Sequence, residues 1–407
     1  MKFIALIESF ILTVSCFFCS IFNLPDQRVQ TLLENNGGMI YGVNHPNEQY
    51  GMLKDAGLGW VRFDIPYPYN AAGEISRSYL DFKERCRGYA ENGMQVLAVT
   101  PYPKDYVNIG GFDPSKDVEK TKEIAVFLYN DLKDITGGFQ ITNEMGLATF
   151  MYPLTLEEAA VFIGVQLEAI DAAKKANGDP FMIGYNQANV SASKDLNNLL
   201  KPYLKYCDYV GIDLYIGVQT NDKASDYADR IKKLYRQVCK PVIVTEFGFW
   251  SEGGSKTPEQ KKEILGYYGY ASEAEAIADG ASFIAKLPPQ FRNTLFYEFP
   301  GQEDQWAELV FSKCAGHFYG ETADATLENV GFTPEGQAEY FRRVIPAMRK
   351  LNCVAGMIIY CCQDMEICWT CGQSWCPYET KWGIMHLDGT PKPAYYAVKE
   401  VLTGTKE

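Results

Sequence analysis

Eight short apolar runs recur along the chain, capped helical segments separate them, and the fourth and seventh runs each lead into a glutamate. Together these predict an α/β fold, a (β/α)8 TIM barrel with an inserted subdomain in the seventh βα loop. The runs are Met39 to Val43, Trp60 to Ile65, Gln95 to Thr100, Gly138 to Thr142, Phe181 to Tyr185, Tyr209 to Asp213, Pro241 to Thr245 and Ala355 to Tyr360. They are apolar on both faces, as expected of parallel strands held between an inner core and outer helices. The clearest helix opens at Thr155-Leu156-Glu157-Glu158, a capping box, continues through Ile163, Leu167 and Ile170 on one face, and stops at Gly178. Another opens at Thr333-Pro334-Glu335, with proline in the first turn where no N–H bond is lost, and runs to Met348 before the eighth strand. Residues 251–332 then lie between the seventh strand and its helix, far beyond the usual connection of about two to six residues. A βα loop stands on the face where the strands' C-terminal ends open. Tyr267, Tyr268, Tyr270 and Trp306 of the insert are therefore candidate contacts to whatever binds there.

Glu144 closes Ile141-Thr142-Asn143-Glu144, and Glu246 closes Val242-Ile243-Val244-Thr245-Glu246, 102 positions later. That interval is too long for a hairpin and fits strands four and seven of a barrel, so two carboxyls converge on one pocket. Paired carboxyls flanking a scissile bond are what glycoside hydrolysis requires: one protonates the leaving oxygen, the other attacks the sugar or activates water. Either glutamate alone reads equally well as a loop opening or a helix cap. The pair gains weight from its surroundings.

Asn143-Glu144 after the fourth strand and Glu246 after the seventh resemble clan A of the glycoside hydrolases, the retaining (β/α)8 barrels that include cellulases, β-mannanases and β-galactosidases. Arg62 in Trp60-Val61-Arg62-Phe63 is similar to that clan's second-strand arginine, and Tyr215 in Gly211-Ile212-Asp213-Leu214-Tyr215 to its sixth-strand tyrosine. The stretch Trp382-Gly383-Ile384-Met385-His386-Leu387-Asp388-Gly389-Thr390-Pro391-Lys392-Pro393 resembles the end of many members, so the likeness spans roughly residues 39 to 403 by motif order. It implies that residues 39–407 form the catalytic barrel, that Glu246 is the nucleophile and Glu144 the acid and then base, and that the reaction retains configuration at β-linked O-glycosides. It further implies that Arg62 and Tyr215 support the charge of Glu246, and that Asn143 contacts the sugar 2-hydroxyl. His45 and Asn186 point to the same mouth by position, and Trp250, four residues after Glu246, is a candidate stacking platform. One departure stands out. Many members end strand eight with a tryptophan that floors the sugar subsite, whereas this chain reads Ile359-Tyr360-Cys361-Cys362-Gln363, and Trp369 or Trp375 is expected to replace it from the following loop.

The resemblance implies a carbohydrate partner, oligomeric or polymeric, and composition limits the others. A net charge of −13 with a pI near 4.9 argues against nucleic-acid binding, which needs a basic footprint. The 407 residues exceed the roughly 250 of a minimal barrel, as an insertion requires, and a monomer is expected. Residues 1–38 lead in. Lys2 and the uncharged stretch from Phe10 to Phe22 outline a signal peptide or membrane tether, so a secreted or membrane-tethered protein is expected, with a cytoplasmic one, its first helix packed on the barrel, as the alternative. No organic cofactor or catalytic metal is expected, since a zinc-dependent barrel needs a histidine-rich rim and the chain holds only His45, His317 and His386. Of the twelve cysteines, Cys361, Cys362, Cys368, Cys371 and Cys376 cluster toward the C-terminus. Thiols, a disulfide, or a structural zinc on Cys368-Trp369-Thr370-Cys371 with Cys314 and His317 remain open. So do two alternatives to hydrolysis: transglycosylation, and a carbohydrate-binding pseudoenzyme, against which the presence of both glutamates counts.

Overall fold

The computed structural model describes residues 14–218, 222–322 and 327–405. Eight parallel strands pair in chain order: β1 (Ile40–Asn44), β2 (Trp60–Asp64), β3 (Gln95–Val99), β4 (Gly138–Ile141), β5 (Met182–Ala188), β6 (Tyr209–Asp213), β7 (Val242–Phe247) and β8 (Val354–Ile359). β8 returns to pair with β1 and closes the barrel, which leaves no sheet edge unpaired. Every expected run is a strand, with ends displaced by a few residues. The largest displacement has a local cause. β5 continues past Tyr185 because its pairing with β6 persists to Ala188 opposite Asp213, so Asn186 lies inside the strand rather than after it.

The strands are buried along almost their whole length, with helices packed outside and an inner layer of side chains filling the barrel. The helix Gln27–Asn35 precedes β1 and adds Val29 and Leu32 to the inner layer formed by Ile40, Trp60, Leu97, Met182, Tyr209, Ile243 and Ile358. The helix Leu156–Asn177 starts and stops where its sequence says: Thr155 Oγ1 accepts from the Glu158 N–H at 3.2 Å, Glu158 accepts from the Thr155 N–H at 2.9 Å, and Gly178 ends it at φ +64°. The helix Pro334–Arg349 opens on Thr333, whose hydroxyl accepts from the Gly336 N–H.

Among the described residues between β7 and that helix lie six further α-helices, Pro258–Tyr267, Glu273–Ala278, Gly280–Lys286, Pro289–Glu298, Trp306–Ser312 and Ala315–Tyr319. They gather around a small core of their own, with Phe283, Leu295, Val310 and Phe318 at its centre. This core also takes in Cys368, Cys371 and Cys376 from the loop after β8, so the two loops share one apolar cluster.

Residues 14–22 are helical. Cys16 and Ser20 face inward while Phe17, Phe18, Ile21 and Phe22 stand about half exposed. Asn23 ties the segment to the barrel, donating to Lys350 O at 2.7 Å and accepting from the Asn352 N–H at 2.8 Å. The earlier part of the expected signal or tether lies outside the described residues; among those described, no helix is long and apolar enough to cross a membrane.

Candidate active site

The C-terminal ends of the strands bring Glu144, Glu246, Arg62, Asn143, Asn186 and Tyr215 into one hydrogen-bonded group. Arg62 sits in the middle of β2, 4 % exposed, and its guanidinium is spent in every direction. Nη1 donates to Glu246 Oε1 at 2.7 Å and to Asn44 Oδ1 at 2.6 Å, Nη2 to Asn143 Oδ1 at 2.6 Å, and Nε to Gln140 Oε1 at 2.9 Å. A planar fork of five donors suits this, where a lysine ammonium would not. The hydroxyl of Tyr215 donates to the other Glu246 oxygen, Oε2. Both Glu246 oxygens are thus engaged, one by a buried ion pair and one by a phenol, with 7 % of the residue exposed.

Glu144 has the opposite surroundings. Among the described residues no cation pairs with its carboxyl; burial first, then the charge of Glu246, push its pKa up to about 8 against the lowering influence of Arg62. Its backbone is fixed instead: the Glu144 N–H donates to Asn186 Oδ1 at 2.8 Å. Thr142 and Glu144 both take positive φ, +54° and +44°, conformations that typically cost side-chain-bearing residues about 1–3 kcal/mol and that the surrounding hydrogen bonds hold in place. Thr100 Oγ1 accepts from the Thr142 N–H at 3.0 Å.

Asn186 therefore orients rather than reaches out. It is 1 % exposed, and its amide nitrogen donates to Asn143 Oδ1 at 2.9 Å and Asp213 Oδ2 at 2.7 Å. Gly211 makes room for it, since a Cβ there would stand 2.7 Å from Asn186 Cβ and 2.9 Å from Thr245 Oγ1. Asp213 accepts from Thr245 Oγ1 at 2.6 Å, and burial together with the charges of Glu246 and Glu144 drives its carboxyl well above the ordinary range.

Three aromatic expectations resolve differently. Trp250 is not a stacking platform: it is 1 % exposed and packs among Phe332, Tyr378 and Trp382, because the chain after β7 turns beneath the loop following β8. Trp369 does stand at the surface, 44 % exposed, with Nε1 donating to the Tyr360 hydroxyl at 3.4 Å. Trp375 faces away into the insert, bonded to Phe318 O at 3.2 Å. The end of β8 is occupied by Tyr360 itself, edge-on to His45 at 5.3 Å and to Tyr215 at 6.1 Å, its hydroxyl donating to Glu379 at 2.6 Å. Water reaches one side of His45, yet the protein crowding its other sides pushes the imidazole below the usual histidine range, so it is neutral at pH 7. Of the insert aromatics, Tyr268 and Tyr270 belong to the small core, Trp306 packs against it, and Tyr267 is 74 % exposed.

Asn44, Gln140, Asp213, Thr245, Tyr360 and Glu379 complete the group without having been singled out beforehand. For Asn44, Gln140, Asp213 and Thr245 a signal existed, a polar residue interrupting an apolar strand near its C-terminal end. Glu379, in the loop after β8, carried none.

No protein-family model and no curated protein sequence matches the chain. Solved structures do match it, through shape at low identity. The GH53 catalytic domain of Ignisphaera aggregans superposes with a TM-score of 0.52 at 15 % identity, covering 90 % of this chain and 91 % of that one. A structure described as that of two fungal β-1,4-galactanases gives 0.54 at 12 %, covering 91 % and 97 %. A β-glucosidase from Exiguobacterium marinum gives 0.51 at 15 %, covering 88 % and 86 %. The fold is that of these glycoside hydrolases. At such identities the likeness speaks for the barrel alone.

Proposed function

We propose that the protein is a retaining glycoside hydrolase acting on β-linked O-glycosides. The observation that carries this is the contrast between two neighbouring carboxyls: Glu246 engaged through both oxygens by Arg62 and Tyr215, and Glu144 raised to about 8 and so protonated at neutral pH. Double displacement needs that division of labour. Glu246 attacks the anomeric carbon while Glu144 gives its proton to the departing oxygen. Once the glycosyl ester forms, the negative charge on Glu246 is gone, the pKa of Glu144 falls, and its carboxylate takes a proton from the incoming water. Asn143 has its carbonyl oxygen held by Arg62 and Asn186, which leaves the amide nitrogen to donate to a sugar 2-hydroxyl. The fold likeness to β-1,4-galactanases and a β-glucosidase supports a β-linked substrate.

The test is hydrolysis of a panel of aryl β-glycosides and β-glycans, with the anomer first released followed by proton NMR. Retained configuration is expected; first release of the inverted anomer would remove the covalent intermediate. With aryl β-glycosides as probe, kcat/KM should fall as pH rises through about 8, where Glu144 loses the proton it must donate. In Glu144→Gln this alkaline limb should vanish, together with most activity on poor leaving groups. An alkaline limb that survives in that variant would assign the ionisation to another group.

A further inference from the structure

We propose that His317, Cys368, Cys371 and Cys376 bind one Zn²⁺ ion as a closed, structural Cys3His site that clamps the loop after β8 onto the helices inserted after β7. The four ligand atoms, one imidazole nitrogen and three thiol sulfurs, all lie within 4.8 Å of one another. The Nδ1 atom of His317 is 3.5 Å from Cys376 Sγ and 4.0 Å from Cys368 Sγ. A tetrahedron with Zn–S near 2.3 Å and Zn–N near 2.0–2.1 Å has its ligand atoms about 3.5–3.8 Å apart, so the group needs only slight contraction to receive the ion.

The donor set selects the metal. Three thiols and an imidazole, with no carboxylate or carbonyl among them, suit a borderline-soft ion and exclude magnesium or calcium as occupants. With four protein ligands no position is left for water or substrate, which separates a structural site from a catalytic one. A disulfide accounts for the cluster less well. Three sulfurs are an odd number, so any pairing strands one buried thiol and leaves the histidine without a reason to face it; no disulfide is formed among these cysteines.

The surroundings are built to hold the ligands. The three cysteines are at most 1 % exposed, within the small core of the insert. A tight turn between Cys368 and Gln373 is closed by the Gly372 N–H donating to Cys368 O at 2.6 Å and the Cys368 N–H to Gln373 O at 3.0 Å. The Gln373 amide nitrogen, in turn, donates to the Tyr268 hydroxyl of the insert at 2.9 Å. The ring of His317 lies 4.2 Å, centroid to centroid, from that of Tyr378, which fixes its orientation. His317 comes from the helix Ala315–Tyr319 and the cysteines from the loop some fifty residues later, so the ion crosslinks two segments that the backbone does not join. Trp369 sits between two of the ligands. The clamp thereby sets the position of the exposed indole that bonds Tyr360 at the end of β8. Binding displaces the thiol protons, so affinity rises with pH. Of Cys314 and His317, both candidate ligands from sequence, the structure recruits only His317; Cys314 is buried elsewhere in the same core.

The experiment is metal analysis of the full-length chain, purified without chelator, by inductively coupled plasma mass spectrometry. One zinc per chain is expected, falling at least tenfold in Cys376→Ser and in His317→Ala, and unchanged in the neighbouring Cys314→Ser. Wild-type protein stripped with chelator and refilled with Co²⁺ should show the intense visible bands of tetrahedral thiolate coordination, a readout that does not depend on any variant folding. Less than a tenth of an equivalent of zinc in wild type, iron in its place, or a Cys368–Cys371 disulfide found by mass mapping would overturn the proposal. So would refilling with Co²⁺ that gives no thiolate bands. None of these readouts involves turnover, so they stand or fall apart from the glycosidase reading.

Discussion

Alanine in place of Glu246 should lower turnover of any active aryl glycoside by roughly four orders of magnitude or more, as loss of a covalent nucleophile does elsewhere. The cavity left at the end of β7 lies beside Arg62, whose Nη1 then lacks its carboxylate partner, and in the proposed mechanism it faces the anomeric carbon. A small anion has both room and a cation there. Azide should therefore restore part of the rate and yield a glycosyl azide of inverted configuration, because it attacks from the side where the carboxylate stood while Glu144 still protonates the leaving group. The same treatment of Glu144→Ala should give an azide of retained configuration, since there the anion replaces water in the second step. Exchanged stereochemistries between the two variants would reverse the roles assigned to the glutamates.

Arg62→Leu should be the most destabilising single change at the site. The substitution leaves Glu246 buried without its ion-pair partner and removes the donors that satisfy Asn44, Gln140 and Asn143. Breaking a buried pair from one side typically costs about 3–5 kcal/mol, because the remaining charge keeps its desolvation penalty. The denaturant midpoint of unfolding should drop accordingly, at an unchanged slope, and activity should fall with it. Arg62→Lys keeps the charge yet cannot bridge four acceptors, so it should lie between wild type and leucine. A leucine variant with the wild-type midpoint would mean that the pair adds nothing net to stability. Leu at 62 with Leu at 246 removes both charges and should regain part of the lost stability, whereas activity should stay absent.

Local rules were strong where neighbours in the chain determine the outcome. Parallel strands in a closed barrel are apolar on both faces, so all eight could be found as apolar runs, and the capping box at Thr155 and Glu158 marks its helix start by bonds that span only three residues. Glu144 and Glu246 were legible for a related reason, since a barrel delivers the C-terminal ends of all its strands to one face. Arg62, Asn143 and Tyr215 were legible through the resemblance of their motifs to those of clan A glycoside hydrolases.

What the linear order could not decide was which of those side chains reach solvent and which are consumed by one another. Asn186 was expected to touch substrate; Gly211 leaves a pocket into which it folds, and Asn143, Asp213 and the Glu144 N–H take its bonding capacity. Trp250 was expected at the surface; packing of the two long loops over it buries it. Glu379 became a member of the site only through its contact with Tyr360 at the end of β8. Cys376 and His317 likewise meet Cys368 and Cys371 only in space, since Cys-x-x-Cys supplies two ligands and a tetrahedral ion needs four. Periodicity and spacing along the chain therefore determined the barrel and named its two carboxyls. Tertiary packing alone decided their contrasting surroundings, because only the fold sets which carboxyl lies against the buried guanidinium and which is crowded without a cation beside it.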